Sequence, residues 1–498
     1  MGNPLFAIKS VTQLRAEAES AHGLKRTLGP FDLIGLGIGA IIGAGLFVRT
    51  AAAAANSAGA SVTLGFIVAA VGSAFAGLCY AEFASMIPMA GSAYTYAYAT
   101  MGELVAWIIG WDLILEYAIG AATVGIAWSE YFNKLLQKFG LHIPYAWCHS
   151  PLESGIDHVT GVLSHGIVNL PAIFIILMLT LLLIRGIRES AVVNGIIVIT
   201  KVAIVILFIA IGWGFINPAN HVPYIPPAGE YVDAQHVSHH FGGLMGILGA
   251  GGIVFFAFIG FDAVSTAAQE AKKPKRDMPI GILGSLVICT VLYILFAHVL
   301  TGVATVEDFR THGKEASVAF AIETYMHGYG WLATFVTVAI LAGFSSVILV
   351  MLLGQSRVFF AMSRDGLVPS VFSETHPKFQ TPYKSNLIFF LLVGAFAGFI
   401  PEDIVGDMTS IGTLFAFIIV CGGVWILRVK QPELQREFRV PLVPLVPILG
   451  IIVCGAMIFG LGWTNWLRLG VWLVIGLCIY IFYGRKHANL RRQPPPSV

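Results

Sequence analysis

Residues 35–45 read Gly-Leu-Gly-Ile-Gly-Ala-Ile-Ile-Gly-Ala-Gly, so that Gly35, Gly37, Gly39, Gly43 and Gly45 fall inside one apolar segment. A glycine in a helix interior costs about 1 kcal/mol relative to alanine. Irregular backbone at membrane depth persists only where it lines a cavity or is buried in protein. The pattern therefore predicts a span that breaks near the bilayer midplane and offers its N–H and C=O groups to a ligand, as discontinuous helices do. Close packing is the competing explanation, because Gly39-Ala40-Ile41-Ile42-Gly43 also fits a small-xxx-small pattern. Five glycines exceed what one packing face needs, so the break is the stronger reading.

That segment lies in a chain of 498 residues, 57% hydrophobic and 11% charged, with a mean hydropathy of +0.82. A soluble chain carries roughly twice that charge, and apolar runs of about 18 or more residues recur along the length. The chain reads as an all-α integral membrane protein. Residues 1–30 are polar and mixed in charge, a cytoplasmic segment rather than a cleavable signal. Twelve transmembrane helices are expected near 31–54, 60–86, 93–130, 166–185, 191–214, 240–268, 279–303, 330–360, 386–401, 404–427, 441–462 and 466–484. Five of the six cysteines fall in these spans and Cys148 alone in a loop, so no disulfide framework is implied.

Basic residues set the orientation. With the N-terminus inside, 22 of the 29 lysines and arginines, among them Lys272, Lys273, Lys275, Arg276, Arg428 and Arg436, lie in cytoplasmic segments. Arg49, Lys134, Lys138, Arg310, Lys314 and Arg468 remain outside, and Lys201 lies within a span. Both termini, including the tail 485–498, are then cytoplasmic. The connections are too short for a soluble catalytic domain.

The sixth span repeats the peculiarity of the first. Around Phe255-Phe256-Ala257-Phe258-Ile259-Gly260-Phe261-Asp262 an apolar run carries a glycine and then an acid. Two interrupted spans five apart predict a 5+5 inverted repeat, with unwound helices 1 and 6. The repeats would cover approximately 31–214 and 240–427 within a 31–427 core, and two peripheral helices would follow at 441–484.

The chemistry gathers at these breaks. Free N–H groups near Gly43, Ala44 and Gly45 at a helix start suit a carboxylate. Carbonyls near Ile41 and between Phe256 and Ile259 suit an α-ammonium, so the layout fits a zwitterionic α-amino acid. Lys201, mid-span in Ile-Val-Ile-Thr-Lys-Val-Ala-Ile-Val, costs about 2.5–3.5 kcal/mol on insertion scales and is a functional candidate by default. No carboxylate cage for sodium is visible, so a titrating amine is the natural coupling device. Ser345 and Ser346 could supply oxygens to it, although serines in membrane helices usually bond their own backbone. Asp112 and Glu116, at i and i+4, share a face, and Glu116 is the deeper candidate for the pocket wall. Asp262 either meets the substrate side chain or caps the outgoing half-helix, and Phe256 either closes over substrate or simply packs. Glu82 fits an interfacial salt bridge. His236, His239 and His240 read as a solvated loop rather than a metal site, and no phosphate-binding loop supports ATP drive.

At these residues the chain resembles the amino acid–polyamine–organocation superfamily, and most closely the bacterial members of its cationic amino acid transporter family. The stretches that carry the resemblance are 37–47 (GIGAIIGAGLF), 80–98 (YAEFASMIPMAGSAYTYAY), 111–117 (WDLILEY), 255–270 (FFAFIGFDAVSTAAQE), 274–281 (PKRDMPIG), 359–369 (FFAMSRDGLVP) and 407–423 (DMTSIGTLFAFIIVCGG). The resemblance implies the LeuT/APC-like fold and amino-acid uptake coupled to protons, with no other cofactor. It implies carboxylate contacts at Gly43, Ala44 and Gly45, and ammonium contacts at Ile41, Phe256, Ala257 and Ile259. Lys201 would stand where relatives place a sodium ion, with Ser345 or Ser346 as its partner, and Glu116 and Asp262 would be side-chain-pocket acids. One departure is Ala44, where many relatives have a hydroxyl residue, so carboxylate recognition must rest on the backbone. The expectation is an importer of cationic or small neutral L-amino acids in a bacterial inner membrane, by proton symport. An amino-acid exchanger and a membrane sensor are the rivals, and neither an enzyme nor a nucleic-acid binder is expected. Whether a small accessory membrane subunit binds the outer helices is left open.

Overall fold

The computed structural model describes residues 7–11, 13–14, 28–87, 91–157, 160–185, 191–232, 238–266, 271–311, 317–379 and 381–492. Arg15, Lys25, Arg26, Arg188, His236 and Lys314 lie outside the described residues, as do positions 88–90 and 267–270 of the quoted stretches.

The described chain is mostly helical. The first span comprises α1 (Pro30–Ile41), α2 (Ala44–Phe47) and α3 (Arg49–Ala53), extended by a π-helical turn at Ala54–Ala58. Then come α4 (Val62–Met86), α5 (Ser92–Thr100), α6 (Glu103–Ile114), a second π-helical turn (Leu115–Ile119) and α7 (Gly120–Lys138). After α8 (Leu170–Arg185) and α9 (Ala191–Gly212), the sixth span comprises α10 (Gly243–Phe255), a single 3-10 turn (Phe256–Phe258) and α11 (Ala263–Thr266). The remainder is α12 (Pro274–Val303), α13 (Val306–Thr311), α14 (Ser317–Tyr325), α15 (Gly330–Arg364), α16 (Tyr383–Phe399), α17 (Glu402–Lys430), α18 (Leu445–Gly460) and α19 (Trp463–Ile479). Among the described residues, eight segments are long and apolar enough to cross a membrane, and α1, α8, α16 and α18 are shorter apolar helices. This is a multi-pass membrane architecture.

Three details differ from expectation. The third span was expected to run unbroken from residue 93, but Gly102, at φ +97°, ends α5 and starts α6 in a new direction. Glycine is the residue that takes such a φ without steric cost. Two short antiparallel hairpins appear in the connections, β1 (Ser154–Ile156) with β2 (Leu163–His165) and β3 (Gly229–Val232) with β4 (Ser238–Phe241). Runs of three or four residues carry too little alternation to be read from sequence. The third concerns Arg49 and is described with the site.

Local chemistry starts and aims the helices. Pro30 opens α1, where its missing N–H is no loss, and the Asp32 carboxylate accepts from the Gly29 N–H at 2.9 Å. Pro274 and Asp277 repeat the device at α12, Asp277 accepting from the Lys273 N–H at 3.1 Å. Close packing follows the small residues: a Cβ on Gly65 would stand 3.1 Å from the Gly251 nitrogen, so α4 and α10 meet backbone to backbone. Both described chain ends reach one side of the bundle, because Lys9 pairs with Asp365 at 3.0 Å and the Asn489 N–H donates to the Asp365 carbonyl at 2.9 Å.

Candidate functional site

The first span does break. Helix α1 stops at Ile41, the chain runs extended through Ile42 and Gly43, and α2 restarts at Ala44. The N–H groups of Gly43, Ala44 and Gly45 have no backbone acceptor among the described residues, which leaves donors at a helix start. The glycines divide the labour. A Cβ on Gly37 would fall 2.4 Å from Ser285 Oγ, so Gly37 serves packing against α12. A Cβ on Gly45 would fall 2.2 Å from the Ala257 Cα, so the two interrupted spans touch at their breaks.

The sixth span breaks opposite. After the 3-10 turn of Phe256–Phe258, Ile259 is extended and Gly260 takes φ +115° before α11 restarts. Phe256, Ala257 and Ile259 are all buried. The Tyr293 hydroxyl of α12 lies 2.9 Å from the Ile41 carbonyl and 3.0 Å from the Ala257 carbonyl. One hydroxyl hydrogen serves one carbonyl at a time, so these converging oxygens keep unused acceptor capacity. Sequence reasoning missed Tyr293, because a tyrosine in an apolar run carries no signal of what it faces.

The acids lie beside the breaks. Glu116 sits in the π-helical turn of the third span, a distortion that recurs at functional sites. It is fully buried, as are Asp112 and Asp262, and neither Glu116 oxygen has a hydrogen-bond partner. Asp262 accepts from the Tyr117 hydroxyl through Oδ2 while Oδ1 is unpartnered. Asp112 turns toward α17, where a Cβ on Gly412 would stand 3.3 Å from its Oδ1. The buried Gln355 of α15 also has both amide ends unpartnered. Buried polar groups are rarely left so. Such a group earns attention only once burial is known, so Gln355 too escaped the sequence.

Lys201 of α9 is 2% exposed, and its Nζ donates to the Gly39 carbonyl at 2.8 Å, in the last turn of α1. Gly343 of α15 makes room for it: a Cβ there would stand 2.7 Å from Lys201 Cε. The Ser345 hydroxyl bonds its own helix at the Leu341 carbonyl, 2.9 Å away, and the buried Ser346 Oγ has no hydrogen-bond partner. The structure thus gathers Lys201, α1 and α15, with Gly343 the unforeseen member.

Arg49, expected in an outer segment, is 1% exposed. It sits at the start of α3 against the N-terminus of α17, with Glu402 at 3.4 Å, Asp403 at 3.5 Å and Asp407 also paired to its guanidinium. Its position among apolar neighbours gave no hint of three acids supplied from 350 residues away. Glu82 does form a salt bridge, and a buried one: Arg428 lies at 2.7 Å and Arg436 at 3.2 Å. His239 and His240 lie in β4, and no metal-holding group of three or more His, Cys, Asp or Glu exists among the described residues.

The amino acid permease family model matches residues 28–481. The chain is 44% identical to the branched-chain amino acid permease BcaP of Bacillus subtilis, over 99% of this chain and 100% of that one. It is 40% identical to the methylthioribose transporter of the same organism, over 98% and 99%. It is 29% identical to the vacuolar cationic amino acid transporter 4 of Arabidopsis thaliana, over 95% and 94%. These relatives are named permeases and transporters, not enzymes, and with the family match over nearly the whole length they place the chain in the amino acid permease family of the amino acid–polyamine–organocation superfamily.

Proposed function

We propose that this chain imports L-amino acids across a bacterial inner membrane by proton symport and alternating access. Twelve spans would form a five-plus-five inverted repeat with both termini cytoplasmic and α18 and α19 peripheral. The observation that carries the reading is the meeting of the two breaks, with acceptor-free N–H groups at Gly43, Ala44 and Gly45 and carbonyls of Ile41 and Ala257 turned to one point. That polarity matches an α-carboxylate and an α-ammonium, with Phe256 and Ile259 completing the wall. Ala44 offers no hydroxyl, so the carboxylate rests on main-chain donors.

Side-chain choice falls to Glu116, Asp262 and the apolar wall. The acids favour cationic amino acids, the family resemblance adds small neutral ones, and the name of one relative adds branched-chain amino acids to the candidates. Coupling falls to Lys201, whose ammonium holds the end of α1 through the Gly39 carbonyl. Losing that proton turns a charge-assisted hydrogen bond into a weaker neutral one, and substrate shifts the equilibrium only by binding one state better.

The test is uptake into proteoliposomes that contain no amino acid, driven by an imposed pH gradient, with a panel of twenty L-amino acids competing against one labelled substrate. Accumulation above equilibrium supports symport. Uptake that requires internal amino acid refutes symport in favour of exchange. Lys201→Ala should abolish pH-driven uptake and retain substrate binding; unchanged coupling in that variant would remove Lys201 from the mechanism.

A further inference from the structure

Away from the breaks, Lys272, Lys273, Lys275 and Arg276 stand within five residues at the start of α12, and all four are exposed. A basic run of this kind is ordinarily a solvated face. Here it crowns a groove of about 620 Å³ between α12 and the connection from α17 to α18. Its lining includes Lys275, Arg276, Ile280, Leu283, Gly284 and Phe438. Glu437, from the far wall, pairs with Lys275 at 2.5 Å and ties the mouth of the groove together. The Arg276 guanidinium has no side-chain partner among the described residues, and Arg439 is a further exposed cation on the same connection.

Polarity changes along the groove. Leu283 lies eight residues beyond Lys275, which is about 12 Å along the axis at 1.5 Å per residue. The face then continues through Val287 and Ile288, exposed by 64% and 40%. Cations at the helix end, with an apolar floor opening sideways, match the depth profile of a phospholipid rather than of a soluble anion. We propose that this groove binds one anionic phospholipid. Its phosphate sits on Arg276, a guanidinium suited to phosphate oxygens, with Lys272, Lys273 and Lys275 adding charge. One acyl chain lies on Ile280, Leu283 and Gly284 against Phe438.

The groove wall rests on the first turns of α1. A Cβ on Gly284 would stand 3.0 Å from Ile34 Cδ1, and one on Gly281 would stand 2.7 Å from Leu33 Cβ, so the groove wall is packed on α1. Helix α1 carries the Gly39 and Ile41 carbonyls. Occupancy by lipid therefore buttresses the half-helix whose end Lys201 holds. The binding claim rests on the membrane architecture alone and is independent of substrate identity.

The test uses the full chain, delipidated in detergent and titrated with phosphatidylglycerol or phosphatidylcholine, with bound lipid counted by native mass spectrometry. The expected result is one retained phosphatidylglycerol and at least tenfold weaker retention of phosphatidylcholine. Arg276→Gln should weaken phosphatidylglycerol at least fivefold. Leu283→Trp, which fills the floor without changing charge, should displace it as well. A wild-type melting temperature and a single symmetric elution peak in detergent report that each variant is folded. Equal retention of the two lipids, or wild-type binding by both variants, overturns the proposal. Full displacement by millimolar inorganic phosphate also overturns it, since the acyl chain would then contribute nothing.

Discussion

Gly343→Ala is the smallest change that should uncouple transport from protons. The added methyl would stand 2.7 Å from Lys201 Cε, 3.3 Å from Cγ and 3.4 Å from Cδ. Ordinary carbon contacts begin near 3.5–4.0 Å, so relief requires a shift of about 1 Å. Helix α15 is a continuous helix across this position, and a lysine chain is softer than a helix backbone, so the amine yields. A movement of that size takes Nζ out of the 2.8 Å contact with the Gly39 carbonyl. A hydrogen bond to a charged group contributes about 1.5–3 kcal/mol, which predicts a loss of pH-driven uptake of roughly 10- to 150-fold. Alanine is also the better helix former by about 1 kcal/mol, so the loss should come without loss of folded protein. The assay is initial-rate uptake in proteoliposomes at external pH 5.5 and 7.5, beside substrate binding in detergent. Binding within twofold of wild type with a flattened pH response is the expected result. An unchanged pH response would refute the claim that the position of the Lys201 amine matters.

Three further outcomes can be checked. Tyr293→Phe removes the hydroxyl between the Ile41 and Ala257 carbonyls and should change substrate affinity by about 1–2 kcal/mol, or 5- to 30-fold; calorimetry reads this, and an unchanged affinity would take Tyr293 out of the site. Arg49→Met leaves Glu402, Asp403 and Asp407 without their cation, a break that should destabilise by about 3–5 kcal/mol; wild-type thermal stability in detergent would contradict it. Burial raises the Glu323 carboxyl, but Lys138 at 2.7 Å and Lys134 at 3.3 Å outweigh that and hold it below the ordinary 4.5. The contact between α7 and α14 is therefore complete above pH 4.5 and fades as pH falls through the lower folded value, by less than about 1 kcal/mol because the pair is partly exposed. The protection factors of residues 317–325, each corrected for the intrinsic exchange rate at that pH, should fall as the pH is taken below 4.5, and unchanged protection would count against the bridge.

The breaks were legible because their signal is local. Glycines at 35–45 and the Gly260-Phe261-Asp262 step say where a helix weakens, whatever packs against it. Lys201 was legible for a similar reason: a charge deep in an apolar run needs a purpose. Tyr293, Gly343 and Gln355 were not, because each takes its meaning from an element far off in sequence: the facing carbonyls, the facing lysine stem, or the packing that leaves an amide without a partner. Arg49 was plain as a charge, but its burial was not, because the acids that receive it, Glu402, Asp403 and Asp407, come from the start of α17. The i, i+4 argument for Asp112 and Glu116 assumed a regular helix, whereas Glu116 lies in a π-helical turn.

The contact of Gly45 with the Ala257 backbone has a consequence for anyone who would watch this protein work. With no room for even a methyl group between them, α2 and the 3-10 turn of the sixth span slide past each other only by lifting apart as whole bodies. A distance that changed between them during the cycle would reveal a separation as the elementary event, and a constant one would mark the pair as a single moving part.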